Sequence, residues 1–174
     1  MALLLTYIQQ KEIKPIGGLN NANQVAIGKY DLLAEEVESL ELDKLLNSPL
    51  YQDVSANPLS YEDLLDGSEF KSCNDTTINH RGLRYVLAYL NYAQWSKESH
   101  VNDTSTGFTQ KTRPDSELMS KGDRDNLYNH NREIAFNAWK LTEAYLNQAD
   151  IDLWNPKQSK RIKKPTFRGL NNFE

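Results

Sequence analysis

The feature that most constrains the fold is a long amphipathic segment from Arg124 to Asn147. Its apolar side chains recur at heptad spacing in two rows, Leu127, Ile134 and Leu141 in the first and Ala138 and Tyr145 in the second, broadened by Ala135, Trp139 and Leu146. This spacing predicts one helix of about 24 residues, which would be about 36 Å long. We therefore expect a mostly α protein built along this helix.

Two further helices are predicted upstream of it. The first covers residues 31–47, with Asp31 as its N-cap and Ser48-Pro49 closing it. The second covers residues 82–96, where apolar side chains follow a 3.6-residue period and three tyrosines and Trp95 widen the apolar sector. These aromatics fit contacts on more than one side of the helix, and they fit equally an ordinary core helix with half-buried tyrosines.

The chain divides into three parts. Residues 1–29 are predicted to be an irregular lead-in, in which Ala2 to Ile8 could form a short strand or a helical turn before proline, paired glycines and paired asparagines interrupt regular structure. Residues 30–154 form the helical domain. Residues 155–174, named the basic segment below, are predicted to be a non-globular tail, since they are too short and too polar to bury a core of their own.

Two stretches within the domain are predicted to be less regular. Residues 53–81 are expected to be rich in loops, with one helical turn through Leu64-Leu65 that starts at a capping box at Ser60 and ends at Gly67. Residues 99–117 are expected to form an extended arm or hairpin, because β-forming residues follow the turn at Gly107.

Charge is distributed unevenly along the chain. Its 20 basic and 24 acidic residues give a net charge of −4. The basic segment has one acid, Glu174, and six basic residues, namely Lys157, Lys160, Arg161, Lys163, Lys164 and Arg168, for a net charge of +5. Residues 1–154 keep 14 basic and 23 acidic residues, a net charge of −9. Such asymmetry is typical of an interaction tail, and Trp154, Phe167, Leu170 and Phe173 are suitable anchors for a groove on a partner.

The sequence contains no pattern that predicts catalysis or a cofactor. The three histidines are scattered, and no HExxH, GxSxG or phosphate-binding loop is present. The single cysteine, Cys73, excludes an internal disulfide and a cysteine-rich zinc site, and it fits a reducing compartment such as the bacterial cytoplasm. No stretch approaches the roughly 18 apolar residues of a membrane span. We therefore expect a soluble protein without enzyme activity, metal or cofactor.

Several ordered features together resemble one family, the head-to-tail connector (adaptor) proteins of tailed bacteriophages, of the crAss-like type that infects Bacteroides. They are Leu3-Leu4-Leu5-Thr6-Tyr7, Leu45-Leu46-Asn47-Ser48-Pro49-Leu50-Tyr51, Gly82-Leu83-Arg84 with Tyr89-Leu90-Asn91-Tyr92-Ala93, Thr106-Gly107-Phe108-Thr109-Gln110-Lys111-Thr112 with Ser116, and Arg132, Ala135, Trp139, Tyr145-Leu146 and Trp154. The resemblance covers residues 1–155 and does not extend to residues 68–79 or to the basic segment.

The resemblance implies a small antiparallel helical bundle and a structural role in the virion, with assembly in the host cytoplasm. Family members form a ring of roughly twelve copies beneath the portal, extend the DNA channel and attach the next tail or ring protein. In such a ring, Phe108 and Lys111 on the arm would contact neighbouring copies, and residues 154–173 would dock into the portal or the next ring. The acidic body would let packaged DNA slide past without sequence-specific binding.

Two other functions stay open from the sequence. The basic segment fits a small nucleic-acid-binding regulator, because lysine and arginine neutralise phosphates, although no recognition helix accompanies it. An enzyme of unrecognised type would need a carboxylate cluster that only the fold can bring together.

Overall fold

The computed structural model of the protein describes residues 3–16, 24–72, 74–98, 101–104, 107–110, 120–149 and 151–155, with the backbone alone at 24–26 and 101–110. The fold is mostly α, as predicted. Its helices are α1 (Tyr7–Ile13), α2 (Gln24–Val37), α3 (Asp43–Leu46), α4 (Ser48–Ala56), α5 (Glu62–Asp66), α6 (Gly82–Glu98) and α7 (Lys121–Leu146). Two hairpins accompany them, β1 (Glu69–Lys71) with β2 (Thr77–Asn79) and β3 (Val101–Thr104) with β4 (Gly107–Gln110).

The two longest helices, α6 and α7, pack on each other in antiparallel orientation. At one end the Lys97 ammonium lies 3.7 Å from the centroid of the Tyr128 ring. At the other end the rings of His80 and Tyr145 stack with centroids 4.3 Å apart. The predicted helices at 82–96 and 124–147 are therefore confirmed to within a few residues. The cap of α7 is Ser120, whose hydroxyl accepts a hydrogen bond from the Asp123 N–H.

The buried face of α7 differs from the heptad rows that predicted the helix. Its buried positions step by four and three residues along one face, namely Asn131, Ala135, Trp139, Thr142 and Leu146. At about 100° per residue, the middle of this face is turned by roughly 100° from the row of Leu127, Ile134 and Leu141. In that row Leu141 is 41% exposed. Trp139 and Leu146 lie on the face of α7 that packs against the core. Burying the large Trp139 side chain there removes more apolar area from water than burying Leu141 would.

Residues 3–16 contain a full helix and contribute to the core, so the prediction of an irregular lead-in is wrong for this stretch. Leu4 and Leu5 are buried in the main core. Thr6 caps α1 in a capping box with Gln9, a signal that is present in the sequence. Helix α2 begins at Gln24, ahead of the predicted cap at Asp31. The domain boundary at residue 30 therefore falls inside a helix.

Buried polar side chains hold α1 against α2 and α6. The Gln10 amide donates to the carbonyls of Lys14 and Ala88, at 2.7 and 3.1 Å. The Tyr30 hydroxyl donates to Gln10 Oε1 and accepts from Asn91 Nδ2, both at 3.1 Å. Burial raises the pKa of Tyr30, so the hydroxyl keeps its proton and its place as donor.

Between α2 and α3 the helix continues through a π-turn at Glu38–Leu42. It ends at Asn47, where φ is +63°, close to the predicted end. Ser48-Pro49 does not close the chain into a loop but opens α4, because proline is tolerated in the first turn of a helix.

Residues 53–81 contain more regular structure than the predicted loops. The turn through Leu64-Leu65 is confirmed as α5, although Tyr61 rather than Ser60 precedes it and no side chain caps it. Gly67 ends α5 with φ +92°, and a Cβ there would lie 2.3 Å from the His80 carbonyl oxygen. The β1–β2 hairpin was not predicted, because its two strands are short and the polar residues between them resemble a loop.

Candidate assembly surfaces

The β3–β4 hairpin forms the centre of the predicted arm. Its strands are antiparallel, with Phe108 opposite Asp103 and Thr109 opposite Asn102. In the part of the chain that the structure describes, these strands contact each other far more than they contact any other element. Because it lies between the two antiparallel helices along the chain, the hairpin follows α6 at the end where Lys97 meets Tyr128 of α7. Lys111, the second predicted arm residue, lies outside the described residues.

Trp154 is the predicted anchor that the structure places in contact with its own domain. Its ring packs edge-on against Trp139, with centroids 6.2 Å apart, and its Nε1 donates to Asn147 Oδ1 at 2.9 Å. The neighbouring Leu153 carbonyl accepts from Asn47 Nδ2 at 3.2 Å. These contacts fix where the chain leaves the body, beside the junction of α3 and α4. A contact between Trp154 and another subunit stays a prediction.

The other predicted contact residues lie outside the described part of the chain. They are Lys157, Lys160, Arg161, Lys163, Lys164, Phe167, Arg168 and Phe173. Their role therefore rests on the sequence and on the surfaces that the rest of the chain offers them.

The histidine most suited to chemistry, His80, is fully buried. It stacks on Tyr145 and meets Phe70 edge-on at 6.0 Å, and burial lowers its pKa. Its Nε2 lies 3.2 Å from Ser68 Oγ, a spacing that suits a serine–histidine pair. Its Nδ1 has no hydrogen-bond partner among the described residues, so none of them forms the third member of a serine–histidine–acid triad. The contacts of His80 fit docking of the β1–β2 hairpin on α7.

A wide cleft of about 870 Å³ lies beside this hairpin. Its lining carries charges of both signs, Glu12, Asp66, Glu69, Arg81 and Arg84. Arg84 pairs with Asp66 and donates from Nε to the Leu4 carbonyl at 2.9 Å, so its charge already serves the fold. Among the residues that the structure describes, no group of three or more His, Cys, Asp or Glu side chains is arranged to hold a metal ion. Within the same residues, no helix is long and apolar enough to cross a membrane.

The tyrosine rings of α6 contact cationic side chains and core residues of the same chain. The Lys14 ammonium lies 5.1 Å from the Tyr89 ring centroid and 4.6 Å from that of Tyr92. The Arg81 guanidinium lies 4.8 Å from the Tyr85 ring centroid, within the range of cation–π attraction. Tyr89 and Trp95 also pack on the main core. Half-buried core aromatics therefore account for the wide apolar sector of α6.

A groove between α1 and α2 is the surface that sequence reasoning missed. It has a volume of about 600 Å³ and is lined by Leu3, Thr6, Tyr7, Ile8, Ile27, Gly28, Asp31, Leu32 and Glu35. Ile8 is 68% exposed and Leu32 is 70% exposed. The sequence signal related to this groove is the capping box at Thr6, which marks the start of α1 and so one wall of the groove.

Comparison with protein families bears on the helices from α3 to α7. Residues 42–164 match a family described as one of unknown function, DUF6712. The match covers more than half of the chain. This protein belongs to the DUF6712 family.

The DUF6712 match begins at the last residue of the π-turn and includes α3 to α7 and both hairpins. It ends inside the basic segment, whereas α1, α2 and the groove between them lie before it. No curated protein and no solved structure matches the chain. Membership of DUF6712 therefore supplies no activity.

Proposed function

We propose that this protein is a structural subunit of a phage head-to-tail connector ring. In this role it docks under the portal, extends the DNA channel and attaches the next tail component. The observation that carries the proposal is the β3–β4 hairpin between α6 and α7, whose strands, within the described residues, contact chiefly each other. A hairpin with little support from its own subunit suits contact with a neighbour.

The distribution of surfaces supports a ring. Copies arranged around a closed rotation axis meet through two different faces. This chain offers an arm at one end of α6 and α7, an apolar groove beside α1, and a basic segment that starts at Trp154. The resemblance to connector proteins implies roughly twelve copies.

The acidic part of the chain supports a channel through which DNA passes. Residues 1–154 carry a net charge of −9, which repels phosphates and so does not hold the genome in place. A channel wall mapped as strongly basic in an assembled particle would contradict this part of the proposal.

The first experiment measures the mass of the protein mixed with the product of a neighbouring portal-like gene. A complex with about a dozen copies on the portal is expected. A matched variant ending at Asn155 should keep its helical circular dichroism, because the described core lies before that residue, yet fail to complete the particle. Normal particles from this variant would contradict a role of the basic segment in assembly.

A nucleic-acid-binding regulator is the second candidate, favoured by the +5 charge of the basic segment. It predicts binding to mixed-sequence DNA that weakens steeply with salt. Such binding, together with no association with the portal, would replace the connector proposal.

A further inference from the structure

We infer that the groove between α1 and α2 binds the basic segment of a neighbouring copy of this chain, so that copies join head to tail. The inference deepens the proposed function and rests on it only in assigning this contact to a ring. It differs from the expectation that the basic segment docks into the portal or the next ring, since it names the adjacent copy as the partner.

The groove has the apolar character of a docking site. Leu32 projects from α2 with 70% of its surface exposed, whereas the adjacent Leu33 and Ala34 are buried. Ile8 on α1 is 68% exposed and lines the same groove. Two large aliphatic side chains around one concave surface lose unfavourable contact with water when a partner covers them.

The charges beside the groove select a cationic partner. Asp31 and Glu35 lie one helical turn apart on α2 and line the groove together with Leu32. Neither carboxylate forms an ion pair with a described residue, so both are open to an external lysine or arginine. A suitable ligand is an extended peptide that combines apolar anchors with positive charge.

The basic segment has this composition. It carries six basic residues, and Phe167, Leu170 and Phe173 follow or separate them. Arginine and lysine form charge-assisted hydrogen bonds with carboxylates, and the phenylalanines supply apolar area for the groove. No other stretch of the chain has so large an excess of basic over acidic residues together with aromatics.

The positions of groove and segment favour a contact between copies. The helix from α2 through the π-turn to α3 is continuous over residues 24–46, about 34 Å at ~1.5 Å per residue. The groove lies along its first half. The basic segment starts beyond its last turn, where the Leu153 carbonyl meets Asn47. Complementary surfaces at opposite ends of a subunit give head-to-tail contacts, which close into a ring when the rotation allows.

The length of the basic segment does not decide whether it occupies the groove of its own copy or that of a neighbouring copy. The 19 residues after Asn155 span up to about 60 Å when extended, enough for either. The experiment must therefore identify which copy supplies the segment.

Site-specific photo-crosslinking makes this identification. A benzophenone amino acid replaces Gly28, which lines the groove and has no atom within 4 Å of an added Cβ. This full-length copy is mixed with an equal amount of isotope-labelled wild-type chain and irradiated, and the cross-linked peptides are read by mass spectrometry. Cross-links to labelled peptides from residues 156–174 are expected. Cross-links confined to unlabelled peptides of the same copy, or none to these residues, would overturn the inference.

Charge reversal tests the chemistry of the contact. The double variant Asp31→Lys and Glu35→Lys should lower the yield of the labelled cross-link by about tenfold, since attraction becomes repulsion. A second double change, Lys163→Glu and Lys164→Glu in the labelled copy, should restore it. The control Glu36→Lys with Glu133→Lys makes the same change in net charge at exposed positions outside the groove.

An unchanged yield in the groove variant, or an equal loss in the control, would remove the two carboxylates from the contact and overturn the inference. The portal complex is measured separately. A portal complex without labelled cross-links leaves the connector proposal standing and rejects the inference. Labelled cross-links without portal binding support the inference and reject the connector proposal.

Discussion

The two hairpins of this protein are similar in size and differ in how they attach to the body. The β1–β2 hairpin is held by Phe70 and His80, whose rings lie 5.9 and 4.3 Å from that of Tyr145 on α7. The β3–β4 hairpin lies between α6 and α7 along the chain, and among the described residues its strands contact mainly each other. A two-stranded hairpin is marginally stable alone, so the first depends on its aromatic contacts and the second is suited to gain support from a partner.

The N-terminal residues, like the β1–β2 hairpin, are held on the body by contacts with helical side chains. The amides of Leu4 and Leu5 donate to the two carboxylate oxygens of Glu38, at 3.2 and 3.1 Å. Glu38 lies in the π-turn and is 5% exposed. Burial raises its pKa to about 7, with the two backbone hydrogen bonds opposing the shift. Short segments are thus fixed by single side chains presented from the helices.

Among the variants that test this comparison, Gly67→Ala, beside the β1–β2 hairpin, is expected to change stability most. An added Cβ would meet the His80 carbonyl oxygen at 2.3 Å, at a positive φ that disfavours any side chain. We expect a loss of about 4 kcal/mol or more in the free energy of unfolding, measured by urea denaturation. Gly28→Ala is the control and should gain up to about 1 kcal/mol as a helical substitution. Equal stability of the two variants would contradict the described approach.

The next effect is a pH dependence from Glu38. Its pKa in the folded chain, about 7, lies above the ordinary value of 4.5, so the folded state binds the proton more tightly than the unfolded state. Stability should therefore fall as pH rises from about 4.5 through about 7, by about 3 kcal/mol. Glu38→Gln should remove this slope, and the exposed Glu36→Gln should keep it. A slope that survives in Glu38→Gln would assign it to another group.

A smaller effect separates the two hairpins directly. Tyr145→Ala removes the ring that holds β1–β2 and should cost about 2–3 kcal/mol. Phe108→Ala on β4 should change the stability of the isolated chain by less than about 0.5 kcal/mol and should weaken association with neighbouring subunits. Thermal unfolding and the mass of the assembly measure the two results. A large loss of stability in Phe108→Ala would mean that the second hairpin is part of the core.

The smallest effect is local. Burial lowers the pKa of His80 below its ordinary value of 6.5, so the unfolded state takes up the proton first as pH falls. The contribution of neutral His80 should be lost as pH drops below about 6.5. Amide hydrogen exchange in β1–β2, corrected for intrinsic rates, should then speed up relative to α6. Exchange that stays constant in this range would remove His80 from the docking contact.

The sequence predicted the elements whose information is local. The periods of α6 and α7 and the turn before Phe108 gave correct helices and a correct hairpin. The heptad rows gave the right helix, and Ala135, Trp139 and Leu146, which broaden them, are buried, whereas Leu141 is 41% exposed. Side chains on two adjacent faces of α7 are apolar, and only contact with α6 selects between them.

Of the candidate surfaces, the arm was predicted in position and the groove was missed. Phe108 lies on the expected strand, whereas Ile8 and Leu32 were not recognised, since their exposure depends on how α1 packs against α2.

The sequence by itself determined a mostly α chain, the places of its two longest helices and its arm, and the separation of an acidic body from a basic segment. These properties depend on periodicity, turn residues and charge, which act over a few neighbouring residues. Only the tertiary structure decided that residues 3–16 belong to the core. It also decided that Glu38 and Tyr145 hold distant segments, and that apolar side chains of α1 and α2 form a groove, because these contacts join residues separated by 20 or more positions in the chain.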